Sequence, residues 1–73
     1  MKNVYIVSEV LSDYTSGMVV IIASDLNECR SIFESEFYEL TEYDKAIANG
    51  KYQVIPTNSD QESRIVSYVY GGG

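Results

Sequence analysis

The sequence predicts an α+β domain of order ββα(α)ββ, with the helices on one face of an antiparallel or mixed four-stranded sheet. Three observations predict it. Two β-branched segments near the N-terminus indicate a hairpin, a segment with helical periodicity follows, and two more strand-like segments come after it. With 73 residues, the chain makes one compact domain, 1–73, with room for one small core.

The hairpin is predicted from two strand-like segments around a turn. Residues 3–11 (NVYIVSEVL) are rich in β-branched and aromatic residues. The next segment carries turn residues, among them Ser16 and Gly17. The run 18–23 (MVVIIA) is apolar throughout, so we expect a strand that is covered on both faces.

A long helix is predicted after the hairpin. Asp25 is a favourable N-cap, and Glu28 stands at the spacing of a capping box. Apolar residues then recur at steps of three and four, which places them on one helical face: Leu26, Cys29, Phe33, Phe37 and Leu40. We expect this face to pack on the hairpin.

A second, shorter helix is predicted over 41–50. Thr41 has the chemistry of an N-cap, with Asp44 at the matching third position, and Gly50 would follow the last turn.

Two strands complete the predicted sheet. Residues 51–55 form the third strand, which Pro56 stops, and residues 63–70 form the fourth. The glycines at 71–73 are expected to form a flexible tail.

The composition argues against catalysis. The chain contains no histidine, so Ser-His and Cys-His dyads are excluded. The single cysteine, Cys29, lies on the predicted apolar helix face, where a thiol packs as a small hydrophobe. Neither a zinc-ligand pattern nor a glycine-rich phosphate loop is present. We therefore expect a non-enzymatic protein without metal or cofactor.

The charge predicts the kind of partner. A net charge of −6 disfavours direct binding to nucleic acid and to anionic membranes, and it favours a basic protein. The lone cysteine and the lack of a signal-peptide pattern lead us to expect a cytoplasmic location, in a host cell.

An acidic stretch with tyrosines, 34–44 (ESEFYELTEYD), contains five carboxylates and no cation. Carboxylates this close repel one another, so clustering them does not stabilise a helix. Their spacing along a helix is similar to that of phosphates along a nucleic-acid strand, and tyrosine rings can accept arginine or lysine. The alternative is a solvated helix face that keeps the domain dispersed. The candidate partner-binding residues are Glu28, Glu34, Glu36, Tyr38, Glu39, Glu42, Tyr43 and Asp44; Tyr14, on the hairpin turn, is a further possible anchor.

The small α+β domain, its acidity and the exposed run 34–39 together resemble small acidic phage anti-defence proteins of the anti-CRISPR type. The resemblance is one of size and character, not of a sequence motif. It implies an inhibitor that blocks a basic nucleic-acid-binding site on a host CRISPR effector or another basic nucleic-acid-handling protein.

Two alternatives remain open. A final strand followed by Gly-Gly resembles β-grasp ubiquitin-like and sulfur-carrier proteins, and this resemblance implies a conjugation site at Gly73. The other alternative is a homodimer formed through an edge of the hairpin or through strand 63–70.

Overall fold

The computed structural model describes residues 1–12, 15–38 and 40–71. Its elements are, in chain order, β1 (Asn3–Val10), β2 (Gly17–Ala23), α1 (Leu26–Phe37), α2 (Thr41–Ala48), β3 (Tyr52–Pro56) and β4 (Arg64–Val69). The predicted α+β class and the ββα(α)ββ order are confirmed. No helix in the described part of the chain is both long and apolar enough to span a membrane.

The four strands form one sheet of order β3-β1-β2-β4, in which all neighbours are antiparallel. The apolar hairpin β1–β2 occupies the centre, and the shorter strands β3 and β4 form the edges. Asn3 pairs with Ala23 and Pro56 at one end of the sheet, while Met18 pairs with Val69 near the other. The α1 helix contacts β2 and β4, and α2 contacts β1.

The core lies between the sheet and the helices. Alternate strand residues point into it, since side chains along a strand point to opposite faces. Its buried members include Tyr5, Val7, Val19, Ile21 and Ala23 from the strands, and Cys29, Phe33, Tyr43 and Ala46 from the helices. The predicted apolar face of the first helix is confirmed by burial of Cys29 and Phe33, with Leu26, Phe37 and Leu40 packed partly against the core.

The expectation that the second strand is covered on both faces is wrong. Met18 and Val20, on the side away from the helices, stay partly exposed, whereas Val19 and Ile21 on the helix side are buried. On the outer side, Ile22 at the end of the strand is 8% exposed. Both helices lie on the same side of the sheet, so the other side of this apolar strand has no covering layer within the described residues.

The long helix ends earlier than predicted. It stops at Phe37, and Tyr38 takes the left-handed conformation with φ of 65°. Its N–H group donates to the carbonyl oxygen of Glu34, as a helix-ending turn does. Asp13, Tyr14 and Glu39 lie outside the described residues.

The start of the second helix also differs from the prediction. Leu40 occupies the N-cap position, without a side-chain capping hydrogen bond, and Thr41 is already the first helical residue. Gly50 has φ of 69° beyond the helix end, as expected for a residue that closes a helix.

Gly71 does not belong to a flexible tail. It is buried, and its N–H group donates to the carbonyl oxygen of Leu11 at 2.9 Å. A Cβ at this position would lie 1.6 Å from the carbonyl oxygen of Thr15, so only glycine fits. Gly72 and Gly73, including the predicted conjugation site, lie outside the described residues.

Candidate functional site

Glu28, the first of the predicted partner-binding residues, makes its hydrogen bonds within the chain. It lies in the first turn of α1, where its Oε1 accepts hydrogen bonds from the Ser24 N–H group and the Ser63 hydroxyl. Lys2 Nζ is 3.8 Å away. The Ser63 hydrogen bond, followed by that from Ser24, lowers the pKa of Glu28 below its ordinary value. This carboxylate therefore closes the N-terminal end of α1.

Asp44 is also held within the chain. Arg30 donates from Nε to Oδ1 at 2.9 Å and from its terminal nitrogen to Oδ2 at 3.0 Å. This two-bond geometry lowers the pKa of Asp44 and raises that of Arg30. A basic partner would have to share Asp44 with Arg30, since both carboxylate oxygens already accept from it.

Tyr43, expected on the exposed acidic surface, is a core residue. It is 2% exposed, and its ring packs on Phe33 with the ring centres 4.9 Å apart. Burial raises the pKa of its hydroxyl, and the neighbouring Cys29 thiol raises it further. No described residue stands in hydrogen-bonding geometry to this hydroxyl. The helix α2 begins one residue earlier than a Thr41 N-cap would require, and Tyr43 shares its buried face with Ala46.

The carboxylates that remain available lie where α1 ends and α2 begins. Glu34 and Glu36 are exposed in the last turn of α1, and neither accepts a hydrogen bond from a described residue. Tyr38 follows them with 83% of its surface exposed. Glu42, in the first turn of α2, accepts one bond from the Ser12 N–H group at 3.2 Å. We call these four residues the acidic corner. The candidate Glu39 lies outside the described residues.

Beside the acidic corner is a groove of about 400 Å³. We call it the aromatic groove, and its lining consists of Leu11, Ser12, Phe33, Phe37, Glu42, Tyr70 and Gly71. The ring of Phe37 contacts Phe33 at 4.9 Å and Tyr70 at 6.1 Å between ring centres. Of the described residues in this lining, Glu42 is the one with a charged side chain. The groove thus offers ring surfaces next to a carboxylate.

Backbone strain is concentrated near this groove. In the described part of the chain, three residues other than glycine have positive φ: Glu9 at 59°, Leu11 at 53° and Tyr38 at 65°. Leu11 lines the aromatic groove, and Tyr38 directly follows Phe37. Such conformations cost about 1 kcal/mol or more each and recur at binding sites.

No arrangement suited to metal binding emerges from the described residues, since they hold no group of three histidine, cysteine, aspartate or glutamate side chains in reach of one ion. Burial raises the pKa of the Cys29 thiol, which disfavours the reactive thiolate. The chemistry that this surface offers is recognition by charge and aromatic contact.

Comparisons with known proteins add no relationship: no protein-family model matches the chain, and neither a curated protein nor a solved structure is significantly similar to it.

Sequence reasoning did not identify the aromatic groove. Phe37 was assigned to the core and Tyr70 to the fourth strand, and both lie in a groove because β4 pairs with β2 beneath the end of α1. That pairing joins residues more than 30 positions apart, and strand order left no signal in the sequence. The alternation of Tyr68 and Tyr70 along β4 was the nearest hint.

Proposed function

We propose that this protein is a non-enzymatic inhibitor that binds a basic nucleic-acid-handling protein. The acidic corner covers positive residues that otherwise hold DNA or RNA. The resemblance of the chain to small phage anti-defence proteins favours a host CRISPR effector as the target, and the inhibitor then belongs to the anti-CRISPR type.

The observation that carries the proposal is the aromatic groove with a carboxylate at its margin. An arginine or lysine side chain can lay its aliphatic stem against Phe37 and Tyr70 while its charged head meets Glu42. Anchors in aromatic pockets supply much of the binding energy in protein interfaces. The exposed ring of Tyr38 adds contact area at a low entropic cost.

The energetics of α1 support the same assignment. Glu34 and Glu36 stand at the negative end of the helix dipole, and no basic residue occupies the last turn. A carboxylate in this position costs about 0.3–1 kcal/mol. The left-handed Tyr38 costs about 1 kcal/mol more. Apart from the attraction between Glu34 and Arg30 and the Tyr38 N–H hydrogen bond that ends the helix, no described contact offsets these costs, so the retention of these residues is consistent with a role in binding.

The test is an inhibition assay with purified RNA-guided nucleases of several types, which measures cleavage of a matched DNA. We expect Glu34→Lys with Glu36→Lys to weaken inhibition at least about tenfold, because two favourable charges become repulsive. Inhibition by the unchanged chain should also weaken as salt is raised. Immobilised protein and mass spectrometry of host lysate extend the search to other basic targets.

The matched control is Asp60→Lys with Glu62→Lys, which changes the net charge equally. These exposed residues precede β4, at the opposite end of the sheet from Val69 and the aromatic groove. Asp60 pairs only with the exposed N-terminal ammonium group at 3.2 Å. Equal loss with both double variants would reduce the effect to net charge and overturn the assignment of the surface. Deleting Gly72 and Gly73 in the same assay separates an inhibitor, which stays active, from a carrier that acts through Gly73.

A further inference from the structure

The side of the sheet that faces away from the helices is mainly apolar, and we call it the open face. Its polar paired positions are Ser8, Gln53, Ser67 and Arg64. Strand pairing defines it: Val4 lies between Ile22 and Ile55, Ile6 pairs with Val20, and Met18 pairs with Val69. Ile55 is 47% and Val69 57% exposed, so the edges of this face are open to solvent. The alternating residues Tyr5 and Val7 point to the core instead.

The open face carries almost no charge. Among the described residues, its strand positions hold no carboxylate and one charged side chain, Arg64, in a chain of net charge −6. Arg64 lies at one corner, where its guanidinium donates to Gln61 Oε1 at 2.9 Å and to the Glu62 carbonyl oxygen at 3.0 Å. Of the described acidic residues, Glu9 lies in β1 at the register irregularity between Ser8 and Val10, and the others lie on helices and loops.

This charge distribution favours a second copy of the chain as the partner that covers the open face. A basic partner finds no carboxylate on the open face. Two copies of the chain repel each other through most other surfaces, because each copy brings acidic side chains there. At the open face they meet without opposed carboxylates, and each copy supplies the flat apolar surface that the other needs.

The area of the open face is sufficient for a weak, reversible dimer. Four strands spaced about 4.8 Å apart, with about six paired residues each at about 3.3 Å, make a patch of roughly 400 Å². Apolar patches of this size on single chains are often functional. Stable dimers bury about 800 Å² per partner, so a smaller patch predicts dissociation in the micromolar range or above.

We propose that two copies of this chain pack open face to open face and form a homodimer with two stacked sheets. Stacked sheets lie about 10 Å apart with their strands inclined by about 30°. The helices, the acidic corners and the aromatic grooves then lie on the two outer sides of the dimer. This inference does not depend on the proposed function, since it uses the opposite side of the sheet.

Sedimentation at several concentrations, from roughly 5 to roughly 500 µM, tests the dimer in the dissociation range that its area predicts. We expect the average mass to rise with concentration from 8.2 kDa toward twice that value. Ile55→Lys should weaken the association at least about tenfold, because it introduces an unpaired charge from each copy into an apolar contact.

Val54→Lys is the matched control. Val54 adjoins Ile55 on the same strand and is similarly exposed, at 43% against 47%, but it pairs with Tyr5 and lies on the helix side. Val69→Lys, at the other edge of the open face, is a second disrupting variant if Ile55→Lys fails to fold. Circular dichroism reports whether each variant is folded.

Hydrogen exchange distinguishes this dimer from pairing through a strand edge. Packing of the open faces leaves the outward amides of β3 and β4 exchanging at a rate independent of concentration, whereas edge pairing slows them. The proposal is overturned if the chain stays monomeric throughout, if Ile55→Lys and Val54→Lys have equal effects, or if the edge amides become protected with concentration.

Discussion

At the N-terminal end of α1, the carboxylates of Asp25 and Glu28 accept hydrogen bonds from backbone N–H groups, at 2.8 Å in each case. At its C-terminal end, Glu34 and Glu36 lie beside the carbonyl groups, with no hydrogen bond from a described residue. The side chains are of one chemical kind, but the helix dipole favours the first pair and opposes the second. Acidic residues therefore stabilise one end of α1 and lower the stability of the other.

This difference shows why a count of carboxylates overestimates a binding surface. The sequence grouped Glu28 and Asp44 with Glu34 and Glu36, since all follow helical spacing. In the fold, Glu28 closes a helix and Asp44 holds Arg30. Carboxylates are available to a partner where the chain leaves them without a donor.

Substitution of Tyr43 should have the largest effect on stability, because this residue of the acidic stretch is a large, buried member of the core. Tyr43→Ala should lower the free energy of unfolding by about 3–5 kcal/mol, the usual cost of truncating a buried aromatic side chain. Tyr43→Phe should change it by less than about 1 kcal/mol, because the buried hydroxyl has only the Cys29 thiol, a weak partner, beside it. Urea denaturation measures both values. A cost below about 1 kcal/mol for Tyr43→Ala would contradict the buried position of this side chain.

The fold was largely predictable because local chemistry determines most of it. The pair Asp25 and Glu28 identified the start of α1, and Gly50 marked the end of α2. The alternation of side chains along the sequence identified the strands. The candidate site was predictable only in part. Whether Tyr43 is buried, and whether Tyr70 meets Phe37, depends on which strands pair and on which face of α2 packs against β1. Such long-range placement leaves no periodic trace in the sequence.

Substitutions at the two ends of α1 should change stability in opposite directions. Asp25→Ala should cost about 1 kcal/mol, since the Glu28 N–H group loses its capping acceptor. Tyr38→Gly should gain about 1 kcal/mol, because glycine adopts the left-handed conformation without strain. Thermal unfolding at one pH compares the two variants directly. If Tyr38→Gly also weakens inhibition in the nuclease assay, folding and binding place opposite demands on this residue. A loss of stability in both variants would contradict the proposed difference between the helix ends.

Low pH should distinguish the two ends of α1 as well, through a smaller change in stability. Hydrogen bonds lower the pKa of Glu28 and of Asp44 in the folded chain. Their contribution to stability is therefore complete above the unfolded values of about 4.3 and 3.9, and it is lost as the pH falls through the lower folded values. The melting temperature should drop below about pH 5, and Glu28→Gln should make that drop shallower.

Glu36→Gln is the matched control at the other end of α1. This variant removes the same charge without removing a hydrogen bond, because no described residue donates one to Glu36 in the fold. An equal flattening by both variants would mean that general charge repulsion, and not the capping contact of Glu28, governs the acid response.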